Sequence, residues 1–349
     1  MKIYKNCFNK IISSENLFSA WDKFKSDKQN KQDVQQFEWN LEKNIFQLHR
    51  DLEQKVYKHG AYVSFYIHDP KQRQIHKAVV RDRILHHAVF NVLNPIFEPT
   101  FISNSFSCRV SKGTHKGVDI LYKKLRQVSH NGFEPCFALK CDIKKFFETV
   151  DHSKLLSIIR KRIKDKDAIW LLEEIIESFS SRYATIFRQK GLPIGNLTSQ
   201  LFANIYLNEF DQFVKNELKI KNYIRYTDDF IIVAKDRVIL ENLIATIRNF
   251  ISDELHIELH PKKVSIRKFN QGIDFLGYIV LPHNRLLRTK TKRRIFRKLM
   301  KRVDEYKMGA ISKQTLEQSL QSYLGVLSHA DAHKISNELK NQFWFCLTQ

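Results

Sequence analysis

At residues 223–234 the chain reads YIRYTDDFIIVA, two short apolar runs on either side of the pair Asp228 and Asp229. β-branched and aromatic residues dominate both runs, so the stretch predicts two strands joined by a tight turn. Asp tolerates turn geometry well, and the adjacent aspartates could serve only as turn formers. A chemical role is favoured if a further carboxylate lies close to the pair.

A second stretch of sequence supplies that carboxylate. Residues 136–143 read CFALKCDI, which alternates as a half-buried strand does and has Asp142 near its end. The segments 153–178 and 198–218, between the two stretches, have a helical period. An Asp at the end of one strand, beside a hairpin that carries two more, predicts a cluster of three carboxylates.

Three neighbouring carboxylates repel one another unless cations neutralise them. Two magnesium ions about 3.5–4 Å apart would do so, and such a pair stabilises both the attacking and the leaving oxygen of phosphoryl transfer. Hard oxygen ligands suit Mg²⁺, with Mn²⁺ as a substitute. The cluster therefore predicts a two-metal site.

The order of these features resembles the palm of reverse transcriptases: Asp-x4-aromatic, then a glycine-containing loop, then Tyr-x-Asp-Asp. The resemblance implies an α+β, right-hand polymerase with fingers, a palm with an antiparallel sheet, and a helical thumb. It implies that Asp142 and Asp228 bind both metals. It also implies that the carbonyl of Ile143 adds a ligand and that Asp229 supports one metal.

Phe147 stands five residues after Asp142, where the family has a bulky ring beneath the sugar of the incoming nucleotide. A ring in that place excludes a 2′-hydroxyl, which argues for DNA synthesis over RNA synthesis. The alternative is that Phe147 is an ordinary core aromatic.

Two sequence blocks that precede the strand predicted at 136–143 resemble parts of the fingers in this family. Residues 70–73 (PKQR) resemble the segment that grips the triphosphate, so Lys71 and Arg73 would balance phosphate charge, although either could be an ordinary solvated base. Residues 105–117 (SFSCRVSKGTHKG) resemble the next block, which implies that Arg109 and Lys112 lie near nucleotide or template.

Two blocks after the hairpin also match. Lys263, in the run HPKKV at 260–264, resembles the lysine that protonates the pyrophosphate leaving group, with Lys262 as a rival. General acid catalysis of this kind contributes about 10²–10⁴-fold. Phe275, Leu276 and Gly277 resemble the primer grip.

The run GLPIGNLTSQ at 191–200 distinguishes subfamilies. Group II intron and retroviral enzymes usually carry Gln before the second glycine, and this chain carries Ile194. The pattern Ile-Gly-x-x-x-Ser-Gln resembles the reverse transcriptases of diversity-generating retroelements. By that resemblance Ile194, Gly195 and Gln200 line the nucleotide pocket. The alternative for Ile194 is simple packing beneath the Gly195 turn.

The C-terminal region is strongly basic. Between Arg285 and Arg302, ten of eighteen residues are Lys or Arg and none is Asp or Glu. Apolar residues recur there with a helical period, which predicts an amphipathic helix with one face on protein and the other on phosphates. By position and charge this helix would be the thumb. The nucleic-acid contacts expected on it are Arg288, Lys292, Arg293, Arg294, Arg297, Lys298 and Lys301.

Composition agrees with a nucleic-acid partner. The 349 residues include 59 Lys and Arg against 37 Asp and Glu, a formal net charge of +22, and each neutralised phosphate releases condensed counterions. Helical periodicity covers 15–59 and then 78–93, where a helix is expected to stop before Pro95. The predicted division is an N-terminal helical extension at 1–65, fingers and palm at 66–284, and a basic helical thumb at 285–349.

Cysteine usage and hydropathy favour the cytoplasm. The five cysteines are odd in number and form no CxxC pair, which argues against a disulfide framework or structural zinc and favours packing roles. No run has the length and apolarity of a signal peptide or a membrane span, so no membrane partner is expected.

The leading hypothesis is an RNA-directed DNA polymerase that binds an RNA template, a DNA primer and dNTPs. Its setting would be mutagenic copying of a template-repeat RNA in a diversity-generating retroelement, with a small basic accessory protein. The alternative setting is a stand-alone anti-phage defence enzyme with its own noncoding RNA. An RNA polymerase is disfavoured by Phe147, and a non-catalytic RNA-binding scaffold by the three carboxylates.

Overall fold

The computed structural model describes residues 2–68 and 71–348. The helices are α1 (Phe8–Ile12), α2 (Ser14–Lys25), α3 (Gln32–Glu38), α4 (Leu41–Glu53), α5 (Val80–Phe97), α6 (Thr114–Val128), α7 (Phe146–Thr149), α8 (His152–Arg162), α9 (Lys166–Glu177), α10 (Leu197–Gln212), α11 (Arg237–Asp253), α12 (Thr289–Lys307), α13 (Lys313–Leu327) and α14 (His333–Thr348). The strands are β1 (Val63–Ile67), β2 (Arg73–Lys77), β3 (Phe137–Asp142), β4 (Tyr223–Tyr226), β5 (Asp229–Ala234), β6 (Ser265–Lys268), β7 (Ile273–Phe275), β8 (Tyr278–Val280) and β9 (Arg285–Leu287).

A four-stranded antiparallel sheet in the order β4-β5-β3-β6 lies at the centre of the molecule. Side chains of successive strand residues point to opposite faces, and the two faces meet different hydrophobic cores. Leu139 and Cys141 of β3 belong to the first core, and Ala138 belongs to the second. The alternation expected at 136–143 and the hairpin expected at 223–234 are both confirmed.

The first core joins the N-terminal helices to the sheet. Trp21 and Phe24 of α2 are buried against α5, and the same cluster continues through α8, α9 and α10. The expected boundary at residue 66 falls inside β1, which pairs only with β2 in a two-stranded hairpin. The N-terminal helices are therefore part of the body that supports the central sheet.

The second core joins the opposite face of the sheet to the C-terminal helices. It includes the three-stranded sheet β7-β8-β9, with Phe275 and Val280, and apolar residues of α12, α13 and α14 such as Leu299 and Leu339. The prediction of one basic helix from residue 285 is wrong in its start. Residues 285–287 form β9, and the helix begins at Thr289.

Two helix boundaries also differ from the expected ones. The helix expected to stop before Pro95 runs on to Phe97, because Pro95 lies on the exposed side while Ile96 and Phe97 are buried in the first core. The helical segment 153–178 is two helices. It breaks where Ile163 forms a bridge with Tyr4, and Asp165 then caps α9 by accepting from the amides of residues 167 and 168.

The five cysteines are free. Cys7, Cys136 and Cys141 are buried as expected of packing residues, but Cys108 is exposed, so that prediction is wrong for Cys108. Across the described ranges, no helix combines the length and the apolarity needed to cross a membrane.

Candidate active site

The central sheet brings the three predicted carboxylates together. Asp142 at the end of β3 is the registered partner of Asp229 at the start of β5, and registered partners project from the same face of a sheet. Asp228 lies in the turn between β4 and β5, where Thr227 takes a positive φ of 54°. The amide of Ile143 donates to the carbonyl of Asp228 at 3.1 Å and ties the turn to β3.

The electrostatics of the cluster are those of crowded carboxylates. Burial, reinforced by the charge of Asp142, raises the pKa of Asp228 to about 6. Burial also raises the pKa of Asp229, against the opposing effect of Lys140, whose Nζ lies 3.7 Å from its carboxylate. The Nζ of Lys263 donates to Oδ1 of Asp142 at 2.7 Å, so the predicted general acid does lie at the cluster.

The donor chemistry of this cluster fits a hard divalent cation. Its oxygens are carboxylate oxygens, which Mg²⁺ prefers, and Oδ1 of Asp229 is buried without a hydrogen-bond partner in the described part of the chain. Two ammonium groups, from Lys140 and Lys263, already offset part of the negative charge. Within residues 2–68 and 71–348, however, no three His, Cys, Asp or Glu side chains are arranged as a ready metal site.

A buried polar network supports the turn from beneath. Arg225, which has no exposed surface, binds Asp211 of α10 and also donates to the carbonyl of Thr227 at 3.2 Å. The hydroxyl of Thr227 donates to Oγ of Ser107 at 2.6 Å, and Asn204 donates to the carbonyl of Ser107. Sequence reasoning missed these residues. One signal for them is present in the sequence. Arg225 is a charged residue within an apolar strand run, and a buried charge implies a buried partner.

Phe147 lies on α7, the short helix that follows β3 in the chain. Its ring is partly buried against the first core and packs edge-on against the buried ring of Phe146. Its carbonyl accepts from the amide of Leu192 at 2.6 Å, which joins α7 to the glycine-containing loop. This partial burial of the ring is compatible with both interpretations of Phe147, the steric gate and the core aromatic.

The glycine-containing loop joins the β1–β2 hairpin to the site. The carbonyl of Ile194 accepts from the amide of His76 at 2.9 Å, and Gly195 approaches Ile75 so closely that a Cβ there would lie 2.8 Å from Cγ2. Gly195 also has a φ of +116°, which other residues rarely adopt. A cleft of about 470 Å³ lies between this loop and β2. Its lining includes Arg73, Gln74, His76, Glu148, Arg182 and Ile194.

Comparison with known proteins decides the family. The sequence profile of the family described as reverse transcriptase (RNA-dependent DNA polymerase) matches residues 58–280, more than half of the chain. The chain belongs to the reverse transcriptase family.

Individual relatives agree with this assignment. Protein YkfC of Escherichia coli (strain K12) is 26% identical over 256 residues, which cover 64% of this chain and 65% of YkfC. The group II intron-encoded protein LtrA of Lactococcus lactis is 22% identical over 342 residues, which cover 79% of this chain and 53% of LtrA. The chain thus spans less than two thirds of the length of either relative.

A solved structure shows the fold of this reverse transcriptase family member. Telomerase from Candida albicans, determined with the TWJ fragment of telomeric RNA, matches 84% of this chain and 55% of its own with a TM-score of 0.50 and 12% identity. The right-hand polymerase fold is therefore confirmed. In the division predicted from the sequence, the central sheet would be the palm, the β1–β2 hairpin would belong to the fingers, and α12–α14 would form the thumb.

The residues predicted to bind the triphosphate differ in where the structure places them. Pro70, the first residue of the 70–73 block, lies outside the described residues. Lys71 and Arg73 are exposed, and of the two only Arg73 lines the cleft beside Ile194. Gln200 is exposed on the first turn of α10.

The second fingers block contacts the central sheet through Phe106 and Ser107, but the bonds of its predicted basic residues Arg109 and Lys112 go to residues 98–105. The guanidinium of Arg109 is almost fully buried, pairs with Glu98 at 2.8 Å and donates to the carbonyls of Ile102 and Ser105. Lys112 donates to the carbonyl of Ser103 at 2.8 Å. The structure thus assigns Arg109 to bracing this loop, and the prediction of nucleotide contact gains no support from its geometry.

The predicted primer grip is the turn between β7 and β8. Phe275 is buried, while Leu276 and Gly277 take positive φ angles of 50° and 94°. The carbonyl of Gly277 accepts from the amide of Arg288 at 2.9 Å, so the turn is tied directly to the start of the thumb. Contact with a primer stays a prediction.

Some basic residues of the predicted thumb pair with acidic side chains, and some face outward. Arg288 pairs with Asp274, and Lys292 pairs with Glu338 at 2.9 Å. Arg293, Arg297 and Lys301 are exposed along α12, opposite its buried stripe, and Nζ of Lys301 lies 3.9 Å from the Glu305 carboxylate. Arg294 is partly buried and Lys298 is exposed, and both make further contacts within the protein.

Proposed function

We propose that this chain is an RNA-directed DNA polymerase that uses the cluster of Asp142, Asp228 and Asp229 to add dNTPs to a DNA primer. The observation that carries the proposal is the registered pair Asp142 and Asp229, with Asp228 in the adjoining turn. Family membership supports the same activity. Three carboxylates this close to one another repel, and a purely structural role does not explain their placement at the ends of two buried strands.

Each residue at the cluster has a distinct task in this reaction. The three carboxylates hold divalent cations, Mg²⁺ or Mn²⁺, which supply Lewis-acid stabilisation of the phosphoryl oxygens when bound. Lys263 keeps a proton at Nζ next to Asp142 and donates it to the pyrophosphate leaving group. The ring of Phe147 excludes the 2′-hydroxyl of a ribonucleotide.

The nucleic acid is held on either side of the cluster. The β7–β8 turn contacts the primer, and the exposed face of α12 holds the phosphate backbone of the template–primer duplex without reading its sequence. Exposed Arg293, Arg297 and Lys301 carry this charge on the thumb. Partners of this kind match the net charge of +22.

The test is primer extension on an RNA template with dNTPs and Mg²⁺. Replacing Asp228 and Asp229 with Ala should abolish incorporation, while a melting curve shows that the fold persists. Asp253→Ala, which removes an exposed carboxylate at the end of α11, serves as the control and should extend normally. Retained polymerisation by the double variant would sink the assignment.

We further propose that the enzyme works in the cytoplasm on a template-repeat RNA of a diversity-generating retroelement, with a small basic accessory protein. Ile194 supports this setting, because Ile offers only apolar contact where Gln would brace the pocket by a hydrogen bond. Losing one such brace costs about 1 kcal/mol, roughly fivefold in error rate. Stand-alone anti-phage defence with a dedicated noncoding RNA is the second candidate, because such enzymes share these sequence blocks.

Copying one defined RNA distinguishes the two settings. The natural enzyme should make about fivefold more errors than Ile194→Gln, scored by deep sequencing of the cDNA. Equal error frequencies favour the defence setting. Sequencing the RNA that co-purifies with the protein then names the template.

A further inference from the structure

The loop at 181–190 exposes two consecutive apolar side chains at its tip. Ile186 and Phe187 are 93% and 94% exposed. The backbone closes tightly around them, since the amide of Thr185 donates to the carbonyl of Arg188 at 2.8 Å and the reverse bond measures 3.2 Å. Side chains this exposed add nothing to the core. Single exposed apolar residues are normal on a protein surface, whereas an adjacent pair on a closed turn suggests a binding site.

The base of this loop is attached to the segment that carries Phe147. The hydroxyl of Ser181 donates to the carbonyl of Glu148 at 2.6 Å, and Arg182 pairs with the Glu148 carboxylate at 3.3 Å. Just after the loop, the amide of Gly191 donates to the carbonyl of Val150 at 2.9 Å. Ile186 follows Ser181 by five positions in the sequence, so the tip stands at most about 18 Å from this base.

Positive charge lies along the loop and at its base. Arg182 and Arg188 are exposed, Lys190 is partly exposed, and no Asp or Glu occurs between Ser178 and Glu209. The Nζ of Lys145 also reaches the hydroxyl of Tyr183 at 2.5 Å and lies over its ring. An exposed aromatic ring among cations matches nucleic acid, in which bases stack on rings and phosphates pair with Arg.

We propose that the 181–190 loop binds the single-stranded part of the template RNA, an inference that rests on the proposed function. Unpaired bases stack on Phe187 and pack against Ile186, while Arg188, next to Phe187, contacts the phosphates. A duplex fits this tip poorly, because its bases are already stacked and an A-form groove keeps them from side chains. The uncopied template adjoins the nucleotide site, which is where the base of the loop is attached.

The experiment compares two RNA–DNA hybrids, one blunt and one with a 5′ RNA overhang, by fluorescence anisotropy. Phe187→Ala should weaken binding of the overhang hybrid about tenfold and leave the blunt hybrid unchanged. Phe133→Ala is the matched control, because Phe133 is 92% exposed in the loop before β3 and should change neither. A 2-aminopurine in the overhang should be quenched by the natural protein and less so by Phe187→Ala.

Equal affinities of the natural protein and Phe187→Ala for the overhang hybrid overturn the proposal, as does an equal loss on both hybrids. The latter result would point to a general role of Phe187 in folding. Primer extension on the same overhang hybrid separates this test from the proposed function. Absence of extension by the natural protein overturns the polymerase assignment, whereas the overhang comparison decides the role of the loop in either case.

Discussion

Arg225 and Asp211 form a fully buried ion pair directly beneath the turn that carries Asp228. Nη2 and Nε of the guanidinium lie 2.6 and 2.8 Å from the two carboxylate oxygens, and neither side chain has exposed surface. The same carboxylate accepts from the hydroxyl of Tyr223 at 2.8 Å. Since Arg225 also donates to the carbonyl of Thr227, the pair connects α10 to the residue before Asp228.

Substitutions in this ion pair should distinguish its contribution to the stability of the protein from its role in positioning the turn at Thr227. Asp211→Ala leaves a buried guanidinium without its partner and should lower the free energy of unfolding by about 3–5 kcal/mol. The double change Arg225→Met with Asp211→Leu removes both charges and should recover most of that loss. Extension should nevertheless stay low, because the Thr227 carbonyl has lost its donor. Urea unfolding and primer extension measure the two effects, and full recovery of both would show that the pair is structural only.

Phe147 should control the choice between dNTPs and rNTPs. Phe147→Ala opens the space beneath the sugar, so incorporation of rNTP relative to dNTP should rise about tenfold or more. The ratio is measured on one template with both nucleotide sets, and Phe133→Ala provides a surface control. An unchanged ratio would identify the ring as core packing.

The raised pKa of Asp228 makes the metal-free protein sensitive to pH. A folded-state pKa of about 6 lies above the unfolded value of about 3.9, so the folded state holds this proton more tightly. Ionised Asp228 therefore costs stability above about pH 6, and the cost disappears as the pH falls below about 4. Asp228→Asn should raise the free energy of unfolding by roughly 3 kcal/mol at pH 7 and by little near pH 4.

The measurement is urea unfolding with EDTA across this pH range. Asp253→Asn, at an exposed position, should show no such pH-dependent gain. Adding Mg²⁺ at pH 7 should stabilise the natural protein more than Asp228→Asn. A gain from Asp228→Asn that is equal at both pH values contradicts the burial of a charge as its cause.

The exposed face of α12 should hold the duplex through backbone charge. Reversing Arg293, Arg297 and Lys301 to Glu should weaken template–primer binding similarly for unrelated sequences. The slope of log K against log salt should become shallower by about 0.9 per lost phosphate contact, the value for B-form DNA. The control reverses three exposed lysines of the N-terminal helical region, Lys10, Lys31 and Lys43. Loss confined to one sequence would indicate base readout.

Local signals account for what the sequence could predict. The strand that ends at Asp142 and the turn at Asp228 are encoded by alternation and turn residues within a few positions, and the structure has both. The pair of Arg225 and Asp211 depends on a contact between a strand and a helix, which periodicity does not report. Helix α5 continues past Pro95 because of tertiary burial of Phe97, which outweighs the local preference to stop.

The two cores on opposite faces of the palm sheet also bear on how the protein unfolds. Trp21 of α2 belongs to the core on one face, and Leu339 of α14 belongs to the core on the other. Melting either cover exposes an apolar sheet face to water, so losing the helices on one face should also destabilise the central sheet that both cores share. Substitutions in the helices near either end of the chain can therefore lower the abundance of folded protein in a cell while Asp142, Asp228 and Asp229 are unchanged.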